Sequence, residues 1–198
     1  MPLEDWFDTY QYEVDYDIGE SGMKFLSLND LDFQLGDVEL RYGYHLGAPE
    51  LREVISQQYD GRTWENVAVT TGASEANFAI IAHLVGKDDH IVVEHPTYPS
   101  LYQVPRSLER DMSLLHLNWE NDFKPNMDEL EKLIKPNTKL VTLTHPNNPT
   151  GSQIDEDSLM RAVELAEEND FYLMVDETYR DLTFKDPPPL AATLSEKQ

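Results

Sequence analysis

The stretch His145-Pro146-Asn147-Asn148-Pro149-Thr150-Gly151 follows a hydrophobic run, Leu140 to Thr144, and holds an asparagine inside a rigid Pro-Gly turn. One helix length later, Phe171-Tyr172-Leu173-Met174-Val175 leads into Asp176-Glu177-Thr178-Tyr179. A carboxylate thus ends a second hydrophobic run, with a phenol just beyond it. An amide, a carboxylate and a phenol delivered this way could all face one flat heteroaromatic ligand. Each has a plainer use: Asp176 as a cap, Tyr179 as a packed side chain with a satisfied hydroxyl, the turn as a simple connection. Together, those plainer uses leave the ordered series unexplained.

Three other segments carry weaker signals. In Thr71-Gly72-Ala73-Ser74-Glu75-Ala76, Gly72 permits a tight turn, and the N–H groups of Ala73 and Ser74 would open a helix whose dipole favours a phosphate. An ordinary N-cap explains the same residues. The segment has neither the dinucleotide glycine fingerprint nor a Walker loop. In Glu94-His95-Pro96-Thr97-Tyr98-Pro99, two prolines fix the path around Tyr98, whose ring could stack on a planar group. His95 reads as a structural hydrogen-bonder. Arg41-Tyr42-Gly43-Tyr44-His45-Leu46-Gly47 reads as a shaped loop before a helix, or as a turn with surface tyrosines.

The elements that must position these groups follow from periodicity. Helices are expected at Pro49–Tyr59, Ser74–Leu84, Pro99–Arg110, Met127–Ile134 and Glu156–Asn169. Strands are expected at Asn66–Thr71, His90–Glu94, Met112–Leu117, Leu140–Thr144 and Phe171–Asp176. The Ser74–Leu84 helix is apolar or small almost all round, which predicts burial. Alternating strands and helices predict an α/β fold, a three-layer sandwich with a mostly parallel sheet and ligands at the carboxyl ends of the strands. Residues 1–47 are acidic and turn-rich and read as an irregular arm and connection; residues 48–198 read as the domain.

The chain has 198 residues and a formal charge of −23, which disfavours nucleic acid and anionic membranes as partners. Its acidic, aromatic N-terminus lacks the pattern of a secretory signal, and no apolar run is long enough to span a membrane. It has no cysteine, which excludes disulfides and thiolate chemistry and leaves the cytoplasm as the default location. The six histidines show no close metal-ligand spacing, so no metal is expected.

In order and spacing, from about Tyr42 onward, these segments resemble the fold type I pyridoxal-phosphate (PLP) enzymes of the class I/II aminotransferase family. HPNNPTG and DETY carry the likeness most specifically. The stretch VDYDIGESG is similar to a subgroup near capreomycidine synthase. The resemblance implies a PLP-dependent transferase large domain, incomplete in this chain, and a homodimer with shared sites. It implies that Asp176 pairs with the pyridine nitrogen, that Asn148 and Tyr179 bond the ring 3-oxygen, and that Tyr98 stacks on the ring. It also implies that Ala73 and Ser74 bind the phosphate, that Tyr42 reaches the phosphate of a neighbouring subunit, and that the Ser21-Gly22 region borders the substrate. The implied reaction moves an amino group from an amino acid to a 2-oxo acid. A cyclase, lyase or decarboxylase of the same fold, or a non-catalytic PLP-binding or dimerisation module, are the alternatives. The family's Schiff-base lysine lies on the strand after the one ending at Asp176, so it is expected beyond Gln198 and the chain as given is expected to be inactive. Lys197 falls too early, in polar sequence, and reads as a solvated lysine.

Overall fold

The computed structural model describes residues 2–31, 36, 41–184 and 186–194; Lys197 lies outside them. Among these residues the sheet has four parallel strands: β1 (His90–His95), β2 (Asp111–His116), β3 (Thr138–Thr144) and β4 (Tyr172–Asp176). Their spatial order is β2-β1-β3-β4. Helices α1 (Pro2–Tyr10), α2 (Pro49–Ser56), α3 (Ala73–Leu84), α4 (Pro99–Ser107), α5 (Met127–Leu133) and α6 (Glu156–Asn169) complete the α/β architecture.

The central strands β1 and β3 are buried on both faces, as parallel strands between helical layers must be, while the edge strands β2 and β4 are partly exposed. Alternate residues therefore feed two cores. Ile91, Val93 and Leu140 pack with Ile81 of α3 and Leu101 of α4. Val92, Val141 and Leu143 pack with Leu130 of α5 and with Leu159, Ala162 and Leu165 of α6. Asp155 caps α6 by accepting from Ser158 N–H at 3.0 Å. That bond holds its carboxyl below the usual range. At the other end Asp170 turns the chain in the left-handed region, φ 56°.

Three expectations need correction. Asn66–Thr71 is not a strand: Trp64–Asn66 form a 3₁₀ turn and no ladder follows. The backbone there is satisfied otherwise, Val67 C=O by Arg52 Nε at 2.7 Å and Val69 N–H by Leu46 C=O at 2.9 Å. The helix at 73–84 is not buried all round. Asn77 and Ile81 face inward, while Phe78 is 52% exposed, because only one face of α3 meets the sheet and α4 among the described residues. The arm is not irregular throughout, since residues 2–10 form α1, where Trp6 packs on Phe7 and Tyr10.

Candidate active site

The segments singled out above meet at the carboxyl edge of the sheet, because parallel strands end there and their following loops share one side. After β3, the turn is tied by Asn147. Its N–H donates to Ser152 C=O (2.9 Å), its C=O accepts from Gly151 N–H (2.8 Å), and its side-chain oxygen accepts from Thr150 N–H and Oγ1. The Asn148–Pro149 bond is cis. Asn148 Nδ2 donates to the Tyr179 hydroxyl at 3.2 Å. Tyr179 also meets Ser21 Oγ at 2.7 Å, so the arm reaches back onto the phenol. Beneath them opens a cavity of about 310 Å³, lined by Ser21, Asn148, Tyr179, Leu182 and Phe184 among others.

Asp176 ends β4 on the α3/α4 side, opposite Thr144 in register. Its Oδ1 accepts from Thr178 N–H (3.1 Å) and Oγ1 (2.6 Å), and its Oδ2 accepts from Asn77 Nδ2 (3.2 Å). Asn77 Nδ2 donates also to Ser100 Oγ at 3.0 Å, which locks the amide. A carboxylate has about four acceptor positions, so Asp176 retains capacity for one more donor.

Gly72 precedes α3 with φ 79°, a conformation that favours glycine, and a Cβ built there would meet nothing within 4 Å. The space beside Gly72 is therefore open, at the end of α3 where the Ala73 and Ser74 N–H groups begin the helix. Thr71 N–H is bonded by the Glu75 carboxylate. Tyr98 directs its hydroxyl to Glu4 Oε1 of α1 at 3.0 Å. Burial, first, and the Glu4 contact, second, raise the Tyr98 phenol above its ordinary range, with Ser74 opposing. His95 packs edge-on against Tyr102 and His116. Tyr42 stands fully exposed.

Asn148 and Tyr179 are thus in direct contact, while Asp176, Tyr98, Ala73 and Ser74 flank them along the same edge. Sequence reasoning missed Asn77 and Ser100, which orient Asp176, and Glu4, which reaches Tyr98 from the arm. A lone amide on the inward face of an apolar helix was the available signal for Asn77. Among the described residues, no group of three metal-ligating side chains could hold a metal ion, and no helix is long and apolar enough to cross a membrane.

A parallel α/β sheet with an Asn-Pro turn, an Asp-ended strand and a glycine-led helix at one edge defines a PLP-dependent transferase-like fold. The chain belongs to the class I and II aminotransferase family, whose profile matches residues 15–198. It is similar to capreomycidine synthase of Streptomyces vinaceus, at 31% identity over 96% of this chain and 51% of that protein. It is also similar to an aspartate aminotransferase of Pyrococcus horikoshii, at 29% identity over 73% of this chain and 38% of that protein. Among solved structures, a PLP-dependent aminotransferase from Streptococcus suis superposes with a TM-score of 0.88 at 31% identity, covering 96% of this chain and 54% of that one. The chain spans about half the length of such relatives, or less.

Proposed function

We propose that this chain forms one wall of a pyridoxal-phosphate site in an aminotransferase that moves an amino group from an amino acid to a 2-oxo acid. The observation that carries this reading is the Asn148–Tyr179 contact at 3.2 Å, beside an Asp176 already oriented by Asn77 and Thr178. When bound, the cofactor supplies an electron sink for the electron pair left at the substrate α-carbon. Asp176 would hold a proton on the pyridine nitrogen, using its remaining acceptor position. Asn148 Nδ2 and the Tyr179 hydroxyl would direct their hydrogens at the ring 3-oxygen, Tyr98 would cover a ring face, and the Ala73 and Ser74 N–H groups would receive the phosphate.

In this reading residues 1–47 are the arm and 48–198 the cofactor-binding domain, and the protein works in the cytoplasm. It is a homodimer: the fully exposed Tyr42 and the uncovered Phe78 face of α3 are available to a second copy. The likeness to capreomycidine synthase over 96% of the chain supports a second reading, a cyclase-type reaction on the same cofactor.

Pyridoxal phosphate added to the purified chain tests the first step by its absorbance change. Saturable binding that weakens at least about tenfold in Asn148→Ala and in Tyr179→Phe is expected, the loss of roughly one hydrogen bond to a charged oxygen. No binding, or binding by both variants as tight as that of the unsubstituted chain, overturns the reading. Product analysis with an amino acid and a 2-oxo acid, on a chain extended to its relatives' length, separates amino transfer from cyclisation.

A further inference from the structure

Glu94 is 1% exposed at the penultimate position of β1, on the face that packs against α5 and α6, and the chemistry above does not use it. Its Oε1 accepts two hydrogen bonds, from Thr144 N–H at 2.6 Å and from Asn147 Nδ2 at 2.9 Å. Its Oε2 is buried without a partner. Asn147 in turn has every polar position of its amide engaged. Nδ2 donates to Glu94 and to Pro96 C=O (3.2 Å), while its oxygen takes both Thr150 donors. Glu94 therefore grips the turn at both its entry, Thr144, and its pivot, Asn147, one residue before the amide that meets Tyr179.

We propose that Glu94 is a positioning residue: its buried carboxyl clamps the Thr144–Asn147 segment and thereby sets where the Asn148 amide points. A carboxyl is a demanding choice for an apolar layer, since burying a charge costs far more than burying an amide. What it provides is an acceptor strong enough to bind two donors on one oxygen, one of them a backbone N–H that has left the ladder. The clamp has two states. Losing the proton strengthens both bonds and draws the turn inward; gaining it relaxes them. Burial, opposed by the Asn147 and Thr144 donors, places that exchange at about 7. The charge that acts on it is Asp176, beyond β3 at the same edge of the sheet, and it favours the protonated state; His95 and His116, next in register, turn to the opposite face, where His95 packs on Tyr102. The functional meaning of the clamp rests on Asn148 as a cofactor ligand, but its existence does not.

Nitrogen-15 spectra of the chain through neutral pH, without cofactor, test it. The backbone N–H of Thr144 and the side-chain amides of Asn147 and Asn148 are expected to shift together with one midpoint near 7. In Glu94→Gln, which keeps the accepting oxygen, the midpoint should vanish while the rest of the spectrum overlays. In Glu94→Leu, which removes the acceptor, the Asn148 amide should lose its contact with Tyr179. An Asn148 amide that stays silent through the titration, or a Gln variant with the same midpoint, overturns the proposal. Should the Leu variant fail to fold, the Gln variant decides alone. Failure of the cofactor reading would leave this titration unchanged, so the two are separable.

Discussion

Replacing Glu94 by Gln should change how the stability of this chain depends on pH, by an amount that its surroundings set. Burial raises the carboxyl from 4.5 to about 7. The folded chain then holds this proton more tightly than the unfolded chain does. Between those two values the folded state binds the extra proton, so stability falls as pH rises. The contribution is fully present below 4.5 and is lost as pH passes about 7. At about 1.4 kcal/mol per unit, the whole span is worth about 3 kcal/mol. Urea unfolding followed by circular dichroism at about pH 5 and about pH 8 captures most of it. The wild type should lose about 2–3 kcal/mol more than Glu94→Gln over that interval, a difference in midpoint shift of about 1 M urea. His90 and His145, both pushed down by burial, and Glu177, pushed up by it, also titrate. They are common to both proteins, so they cancel in the comparison. Parallel pH profiles for wild type and variant would refute the argument that a desolvated carboxyl sits beneath the turn.

Two further outcomes follow from the packing. Leu159, 1% exposed in the core between α6 and the sheet, should cost about 2–5 kcal/mol when cut to alanine, read by the same unfolding assay. Gly47→Ala should lose about 1 kcal/mol or more, because Gly47 has φ 98° and an added Cβ would lie 2.6 Å from Val69; the thermal midpoint reports it.

Much of the fold was legible because burial on both faces writes strands as continuous apolar runs and helices as periodic ones. His90–His95 and Glu156–Asn169 came out almost as read for that reason. Asn66–Thr71 misled because Val67 and Val69 are apolar in a segment whose backbone is satisfied by Arg52 and Leu46, not by a neighbouring strand. The exposed face of α3 misled because apolar composition reports a tendency to be covered, while a partner is supplied only by the assembled fold. Helix α1 was legible too, since Leu3, Trp6, Phe7 and Tyr10 recur at i, i+3, i+4 and i+7, but the acidity of the segment and the glycines after it masked that pattern.

The site divides in the same way. The sequence alone determined the turn around Asn148, the Asp176 strand end and the glycine before α3, since proline, glycine and local spacing act within a few residues. Only tertiary structure decided that Asn148 meets Tyr179, that Asn77 and Ser100 hold Asp176, that Glu4 reaches Tyr98 from the arm, and that Glu94 lies buried under the turn. Those contacts join residues far apart in the chain. Their distances are set by how strands stack side by side, and no local propensity encodes that.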